Sequence, residues 1–456
     1  MSKSKTMTFL PRLKNSLLFW PLLSTLLLLW VAFYNGFPVV YSDTSTYLAS
    51  GFDLETPADR PITYGLFIML TSLHGISLWI AAAVQSFMLA YILFLVFRHI
   101  SGIRNYAVPA FISIFILSIF TSLPWISGML LADVFTPVSI FTLLLLIFAK
   151  DLSKREKITL YSFFVLSNAM HLSHVMINVL LLITVLITSK IGYFKESFRF
   201  VKIKQLIVLL LISLSGILVM SSAMSKSKHI FYMGRMVENG ILKKYLDENC
   251  AAHQYKICAY KDSLPPNADR FLWDFQNSPV YKLGGWKACK DEFNEIIGET
   301  MKQPEYLKLH ALASIRGTTQ QLTAFTIGEG NIGFGKETPL YERIQKYTSD
   351  GNRYANSKQT GNTLLKHFAF FNTANQIAVY GSLLVLMIIL CAKQVRSKFT
   401  TTQIVFVIFA LFGIFYNDFI CASLSTVANR FACRVIWMVP FLLLLIIANK
   451  FQKEKN

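Results

Sequence analysis

Long apolar runs separated by short polar gaps make up most of this chain. A run of about 20 apolar residues is long enough, as a helix, to cross a hydrocarbon core of roughly 30 Å. The runs predict membrane-spanning helices at 17–36, 76–97, 106–123, 133–149, 204–222, 374–392, 401–420 and 433–449. We therefore predict an all-α polytopic membrane protein.

The apolar stretch 158–189 needs a separate interpretation, because both of its flanks are basic. Basic flanks are expected on the same side of the membrane, so the stretch must cross an even number of times. We predict a short hairpin formed by 158–170 and 175–189. The total is then about ten transmembrane or partly spanning helices. The segment 62–73 is apolar but too short to span, and it predicts an interfacial or re-entrant helix.

Three outer regions remain in this arrangement: a first outer loop at 37–63, a large segment at 223–372 and a short loop at 421–432. The large segment is polar enough to fold as a mainly helical extracytoplasmic domain. It separates an N-terminal membrane module, 1–222, from a C-terminal membrane module, 373–456.

Within the large segment, the stretch 304–325 has the pattern of a soluble amphipathic helix. Apolar or small residues recur at helical spacing, namely Leu312, Ile315, Thr319, Leu322 and Phe325. Pro304 is well placed in the first turn. The following stretch, 327–362, is rich in Gly, Asn, Thr and Lys and predicts irregular loop.

Charge agrees with this topology. The chain is 54% hydrophobic and only 15% charged, with a net charge of +19. The short gaps 1–16, 98–105, 150–157, 190–204, 393–398 and 450–456 hold 21 Lys and Arg against 4 Asp and Glu. Short basic loops stay in the cytoplasm, so both termini are predicted inside and the polar outer regions outside. The positive charge is explained by topology, and nucleic acid is not a predicted partner.

Cysteine usage is compatible with an oxidising outer face. Cys250 and Cys258 lie eight residues apart in the large outer segment, and a disulfide between them is plausible. The alternative is that both are unpaired small apolar residues.

The first outer loop carries the strongest candidate for chemistry. Asp43 lies a few residues beyond the first span, and Arg60, a candidate substrate-binding residue, follows at the end of the loop. A carboxylate at a membrane interface can act as a general base on a hydroxyl. The alternative is that Ser42 or Asp43 caps a helix beginning near Thr44.

Asp133 is the second catalytic candidate, because it lies at the outer end of a span between apolar flanks. The alternative is an acid favoured by the dipole at a helix N-terminus. His171 and His174 are substrate-binding candidates at the tip of the predicted hairpin. A phosphate or hydroxyl contact fits them better than zinc, which needs more ligands; polar decoration of the tip is the alternative.

Further candidates for substrate binding lie at the outer ends of later spans: Asp418, Arg430, Arg434 and Arg235. Arginine binds phosphate bidentately and stays charged in a partly dry site. The three arginines could hold a lipid-linked phosphate, or they could contact lipid head groups and nearby carboxylates. Gly328, Gly330 and Gly333 spell GxGxxG, but no strand or helical pattern surrounds them, so we discard a dinucleotide site.

The predicted elements follow a fixed order: a first span, an outer loop with an early acid, and then many further spans. This order resembles the architecture of the GT-C superfamily of membrane glycosyltransferases. The resemblance covers the architecture of the whole chain, and its motif support is YSDTSTYL at 41–48, with Asp43 matching the first-loop acid. It implies a polyprenyl-phosphate-sugar donor, a cell-envelope acceptor, Asp43 as base and inversion at the sugar. The chain departs from well-known members in lacking a clear DxD or DE pair. No cofactor is expected, and a divalent metal is not indicated.

The segment YLDENCAAHQYKICAYKDSLPPNADRFLWD also resembles uncharacterised proteobacterial membrane proteins. This resemblance implies a bacterial inner membrane, with the large domain periplasmic. Three other functions stay open: a transporter or flippase, an envelope polymerase, ligase or acyltransferase, and an assembly protein without chemistry. The absence of an internal repeat speaks against a transporter with inverted repeats.

Overall fold

The computed structural model describes residues 15–195, 198, 201–366 and 368–448. These residues form helices and irregular connections, and their only β-pairing is a bridge between Val39 and Met129. The basic termini that the topology prediction uses, 1–14 and 449–456, lie outside the described residues.

The N-terminal module contains helices α1 to α11 and a 3-10 turn at Ala132–Val134. The helices are α1 Phe19–Leu28, α2 Trp30–Asn35, α3 Ser42–Asp53, α4 Thr63–Thr71, α5 Leu78–Ile100, α6 Ala107–Phe120, α7 Leu123–Ser127, α8 Phe135–Phe148, α9 Lys154–Met170, α10 Leu172–Thr188 and α11 Gly192–Lys195.

The rest of the chain contains α12 to α25 and a second 3-10 turn at Lys256–Tyr260. The helices are α12 Ile203–Glu238, α13 Ile241–Asn249, α14 Ala268–Trp273, α15 Pro279–Lys282, α16 Gly285–Ala288, α17 Lys290–Lys302, α18 Pro304–Gln321, α19 Pro339–Tyr347, α20 Gly351–Ala355, α21 Ala369–Cys391, α22 Lys393–Arg396, α23 Thr401–Leu424, α24 Asn429–Ile436 and α25 Met438–Ile447.

The described part of the chain is all-helical, and its long apolar helices are typical of a membrane protein. Five described segments are long and apolar enough to cross a bilayer: Leu78–Ile100, Ile203–Ser222, Ala369–Cys391, Thr401–Leu424 and Asn429–Ile447. Other predicted spans are shorter apolar helices. The predicted span 17–36, for example, is divided at Leu29, where the backbone leaves the helical conformation between α1 and α2.

The predicted hairpin at 158–189 coincides with α9 and α10. The two helices meet at His171, whose backbone is extended. Asn178 of α10 donates a hydrogen bond to Asn168 of α9 at 3.0 Å, so the chain turns back on itself at this point. Polar side chains therefore meet inside the bundle, as expected for polar groups at membrane depth.

The large outer segment divides into two parts. Helix α12 continues without a break across the predicted boundary at 222/223, because nothing in its sequence ends it before Glu238. Its outer end packs with α13 to α18 around a separate apolar core that includes Met233, Tyr245 and Phe293. Residues after α18, including Phe325 and Tyr354, belong instead to the main core of the membrane module.

The interpretation of 304–325 as a helix of a soluble domain is wrong about its apolar face. A soluble amphipathic helix buries its apolar stripe, yet Leu312 is 51% exposed and Ile315 is 63% exposed. The buried face of α18 consists of Tyr306, Gly317, Thr318 and Gln321. Through Gly317 and Gln321 of that face, the helix packs against the C-terminal end of the span α23.

Candidate functional site

The first outer loop is fastened to the segment that follows α7. The Val39 N–H donates to Gly128 O at 3.0 Å, and the Leu130 N–H donates to Val39 O at 2.9 Å. The Thr44 hydroxyl donates to Leu130 O at 3.0 Å. These bonds hold the start of α3 beside the 3-10 turn that carries Asp133. Two acids that are far apart in sequence are thus positioned by one short stretch of backbone pairing.

Asp43 lies in the first turn of α3, where a helix dipole favours a carboxylate. The helix begins at Ser42, two residues earlier than the capping interpretation assumed, and Asp43 does not cap it. The Asp43 carboxylate instead contacts two arginines: Arg60 Nη1 at 3.1 Å and Arg430 Nη1 at 3.0 Å, both to Oδ2. Its principal contacts are therefore with guanidinium groups.

Arg60 reaches Asp43 because α3 and α4 approach very closely. A Cβ on Gly51 would lie 2.1 Å from Gly65 O, so only glycine permits this contact. The loop between the two helices returns Arg60 to the start of α3, where its guanidinium lies 5.1 Å from the centre of the Tyr47 ring. Arg60 Nε also donates to Asp59 Oδ2 at 2.9 Å.

Arg430 joins Asp43 to Asp133. Its Nη1 contacts Asp43, and its Nε lies 3.4 Å from Asp133 Oδ2. Arg434, four residues later on α24, contacts Asp133 Oδ1 through Nη1 at 2.8 Å. Residues at i and i+4 share one helix face, so α24 presents both arginines to the two acids. We call Arg60, Asp43, Arg430, Asp133 and Arg434 the ion-pair chain.

The two ends of the ion-pair chain differ in exposure. Arg434 is fully buried, whereas the side chains of Arg430 and Asp43 are 15% and 23% exposed. Arg434 has a complete set of protein partners: besides Asp133, it donates to Asn417 Oδ1 at 2.8 Å, Ser173 Oγ at 3.3 Å and Cys421 Sγ at 3.1 Å. The Asp43 end is therefore the part that a ligand can reach.

Asp418 lies behind Arg434 and is fully buried. One of its oxygens accepts from Asn417 Nδ2 at 2.9 Å, and the other has no hydrogen-bond partner among the described residues. Asn417 links it to Arg434. This position makes Asp418 a supporting residue for the arginine.

The two histidines have different surroundings. Both ring nitrogens of His174 have protein partners: Nε2 lies 2.8 Å from Thr136 Oγ1, and Nδ1 lies 2.7 Å from Ser167 O. His174 therefore joins helices. His171 Nδ1 lies 2.8 Å from Ser173 Oγ, which also contacts Arg434. Of the pair, only His171 is connected to the ion-pair chain.

The loop that carries Glu329 and Gly330, from the discarded glycine motif, lies beside Arg430 of the ion-pair chain. The Arg430 N–H donates to Glu329 Oε2 at 3.1 Å. Gly330 has a φ of +71°, and a Cβ there would lie 1.9 Å from the Tyr41 ring. The Arg430 guanidinium also contacts this ring, 4.3 Å from its centre. Gly330 thus permits close packing over Tyr41.

Electrostatics keep Asp43 ionised. Burial disfavours the charged form, but Arg60 and Arg430 outweigh burial and hold the pKa of this carboxyl below its usual value. A base works best when its pKa lies near the operating pH. Asp43 is therefore a weak base while both arginines contact it.

Arg235 does not join this network. It pairs with Glu238 at 3.0 Å and lies in a small cleft with Tyr232, His310, Ser314 and Ser423. Its Nη2 lies against Gly317, where a Cβ would approach to 2.9 Å. The site prediction thus grouped Arg235 with arginines from which the structure separates it. In the outer domain, Cys250 and Cys258 form a disulfide.

The arrangement suits anion binding better than metal binding. In the described part of the chain, no group of three or more His, Cys, Asp or Glu side chains could hold a metal ion. The carboxylates of Asp43 and Asp133 face guanidinium groups instead. Two partly exposed arginines beside a carboxylate can exchange that carboxylate for a phosphate.

Sequence reasoning missed several contributors, which are Tyr41, Tyr47, Asn417 and Glu329. Asn417 has a signal in hindsight, since it is a polar residue beside Asp418 in an apolar run. Tyr41, Tyr47 and Glu329 act through contacts with arginines that are remote in sequence, so local patterns do not reveal them.

Comparison of the chain with known proteins finds no match among family models, curated proteins or solved structures, so its chemistry has to be inferred from the geometry of the ion-pair chain.

Proposed function

We propose that the protein is a membrane glycosyltransferase that moves a sugar from a polyprenyl-phosphate donor to a hydroxyl of a cell-envelope acceptor. The observation that carries the proposal is the position of Asp43, a partly exposed carboxylate between Arg60 and Arg430 at the end of apolar helices. A lipid phosphate needs cations at membrane level, and an acceptor hydroxyl needs a base beside them.

The donor phosphate binds to Arg60 and Arg430 in this proposal. Both arginines already contact carboxylate oxygens, and phosphate oxygens fit the same planar donors. Arg434 has other partners and stays in place, holding Asp133. Asp133 in turn keeps Arg430 oriented from behind. His171, which is connected to Arg434 through Ser173, is the further contact to the donor or acceptor in this proposal.

Phosphate binding activates Asp43. When the two arginines turn to the phosphate, the interactions that depress the Asp43 pKa weaken, and burial then raises that pKa towards the range of a useful base. Asp43 accepts the proton of the acceptor hydroxyl as its oxygen attacks the anomeric carbon. The bond from that carbon to the phosphate oxygen breaks, and the electron pair leaves on the phosphate, which the arginines stabilise.

We further propose a bacterial inner-membrane location with about ten crossings. Both termini would be cytoplasmic, and the domain formed by α12 to α18 would be periplasmic. Support comes from the distribution of charge, since the short basic gaps hold 21 Lys and Arg against 4 Asp and Glu. On this topology the ion-pair chain faces the periplasm, where lipid-linked sugars and envelope acceptors meet.

The test compares wild type, Asp43→Asn and the matched control Asp53→Asn in a strain from which the gene is deleted. Asp53 lies in the same outer region, but it is exposed and contacts Tyr347 and Lys346. Envelope glycans are profiled by mass spectrometry at equal protein levels. We expect a sugar that is lost in the deletion strain to return with wild type and Asp53→Asn. It should stay reduced at least ~100-fold with Asp43→Asn, the usual range for loss of a general base.

Two outcomes would reject the proposal. Full restoration by Asp43→Asn would show that the carboxylate is not a base. An unchanged glycan profile in the deletion strain would direct attention to transport or assembly. Arg60→Gln and Arg430→Gln extend the test, because both should lower kcat as well as kcat/KM if they stabilise the charge that develops on the leaving phosphate.

A further inference from the structure

Helix α18 exposes a face that combines large apolar and basic side chains. Leu307, Leu312 and Ile315 are 44%, 51% and 63% exposed. Lys308 and Arg316 lie on the same exposed side. Neither of these two basic residues has an ion-pair partner among the residues that the structure describes. This composition is unusual for a face that meets only water.

Helix α18 is held against the end of the apolar helix α23. Gly317 on its inner face approaches Ala422 near the outer end of the span α23, so closely that a Cβ on Gly317 would lie 3.3 Å from the alanine Cβ. Gln321 closes the contact by donating to Ala428 O at 2.7 Å and accepting from the Ala428 N–H at 3.0 Å. The helix is thus fixed to the C-terminal end of α23.

The exposed apolar surface of α18 continues on the neighbouring span α23. Helix α23 exposes Phe415, Phe419 and Leu424 along its outer half. Large apolar side chains exposed on a spanning helix face lipid. The exposed face of α18 extends this apolar surface from the span to the outer domain.

We propose that α18 lies in the outer surface of the bilayer and seats the outer domain on lipid. The partner is a membrane surface with anionic head groups. Leu312 and Ile315 enter the acyl boundary, while Lys308 and Arg316 bury their aliphatic parts and keep their charges among the head groups.

This inference does not depend on the proposed transferase activity. It explains why Leu312 and Ile315 are directed away from the protein core. It also fixes the height of the small outer core above the membrane, because α18 contributes Tyr306 to that core.

The test measures quenching of a fluorophore by brominated lipids in vesicles of phosphatidylethanolamine and phosphatidylglycerol. The full-length protein carries Cys391→Ala, since Cys391 is the exposed free cysteine and Cys289, Cys421 and Cys433 are buried. Single labels are placed by Leu312→Cys and Ile315→Cys. Ile377→Cys on the span α21 is the lipid-facing control, and Lys287→Cys in the outer domain is the aqueous control.

We expect quenching at the two α18 positions to exceed that at the aqueous control at least twofold and to approach that at the lipid-facing control. Lys308→Glu combined with Arg316→Glu should lower quenching at position 312 in the anionic vesicles. If quenching at both α18 positions equals that at the aqueous control, the proposal is wrong. Such a result would mean that water or another protein surface, and not lipid, covers this face.

Discussion

Removal of Arg434 should destabilise the protein strongly, because Arg434 is the fully buried end of the ion-pair chain. In Arg434→Met, the Asp133 carboxylate loses its 2.8 Å partner, and its remaining cation is Arg430 at 3.4 Å. Removing one partner of a buried ion pair leaves an uncompensated charge and costs about 3–5 kcal/mol. Asn417 loses its guanidinium donor as well. We therefore expect a loss near the upper part of that range.

The measurement is the free energy of unfolding in mixed micelles with increasing SDS, followed by tryptophan fluorescence. Arg353→Met is the matched control, since Arg353 also pairs with an aspartate, Asp350, but its side chain is 65% exposed. Asp350 is buried, but the Arg353 end of the pair lies in solvent, where ion pairs are weak, and Asp350 keeps its hydrogen bond from the Leu78 N–H. The control should therefore change little.

A double-mutant cycle separates the ion pair from simple loss of packing. Combining Arg434→Met with Asp133→Asn removes both charges, so the double variant should be more stable than the sum of the single losses predicts. We expect a coupling energy of about 2–3 kcal/mol, at the upper end for contacting residues. Additive losses, or a loss with Arg434→Met no larger than that with Arg353→Met, would refute the reasoning.

Substitutions at Asp43, at Gly330 and at the Cys250–Cys258 disulfide should each change the stability of the protein. Because the pKa of Asp43 is lower in the folded protein, its stabilisation is fully present above the unfolded pKa of about 3.9 and is lost as pH falls from there through the folded pKa. Stability should therefore fall less steeply with decreasing pH in Asp43→Asn. Gly330→Ala should lower the unfolding free energy by ~1–3 kcal/mol through backbone strain and the tyrosine contact, whereas Gly335→Ala, in open space, should be neutral. Cys250→Ser with Cys258→Ser should lower the unfolding free energy by ~2–3 kcal/mol relative to disulfide-bonded wild type, because a short loop is freed. Reduced wild type is the control and should match the variant.

The apolar pattern of the sequence predicts the positions of the long apolar helices. The runs at 76–97, 204–222, 374–392, 401–420 and 433–449 contain enough apolar surface to predict their membrane location, and each coincides with a long apolar helix. Helix ends were less predictable. Helix α12 continues to Glu238 because its polar outer half still favours helix, and its neighbours supply a core that the local sequence does not announce.

The sequence identifies several residues of the candidate site but not the partners that they contact. Asp43, Asp133, Arg430 and Arg434 stood out because charge is expensive beside apolar runs. Their partners did not stand out: Asp43 and Arg430 are 387 residues apart, and Asp133 and Arg434 are 301 apart. Arg235 had the same local signal, yet it pairs within its own helix region.

Apolar runs and charge are enough to predict an all-helical membrane protein with charged groups at the ends of its helices, because both features follow from the energy of transferring side chains between water and lipid. Which of these groups meet depends on tertiary packing. The pairing of Val39 with the segment after α7, the glycine contact between α3 and α4, and the direction of α24 bring the acids and arginines together. Such contacts depend on the packing of the whole chain, so no local pattern encodes them.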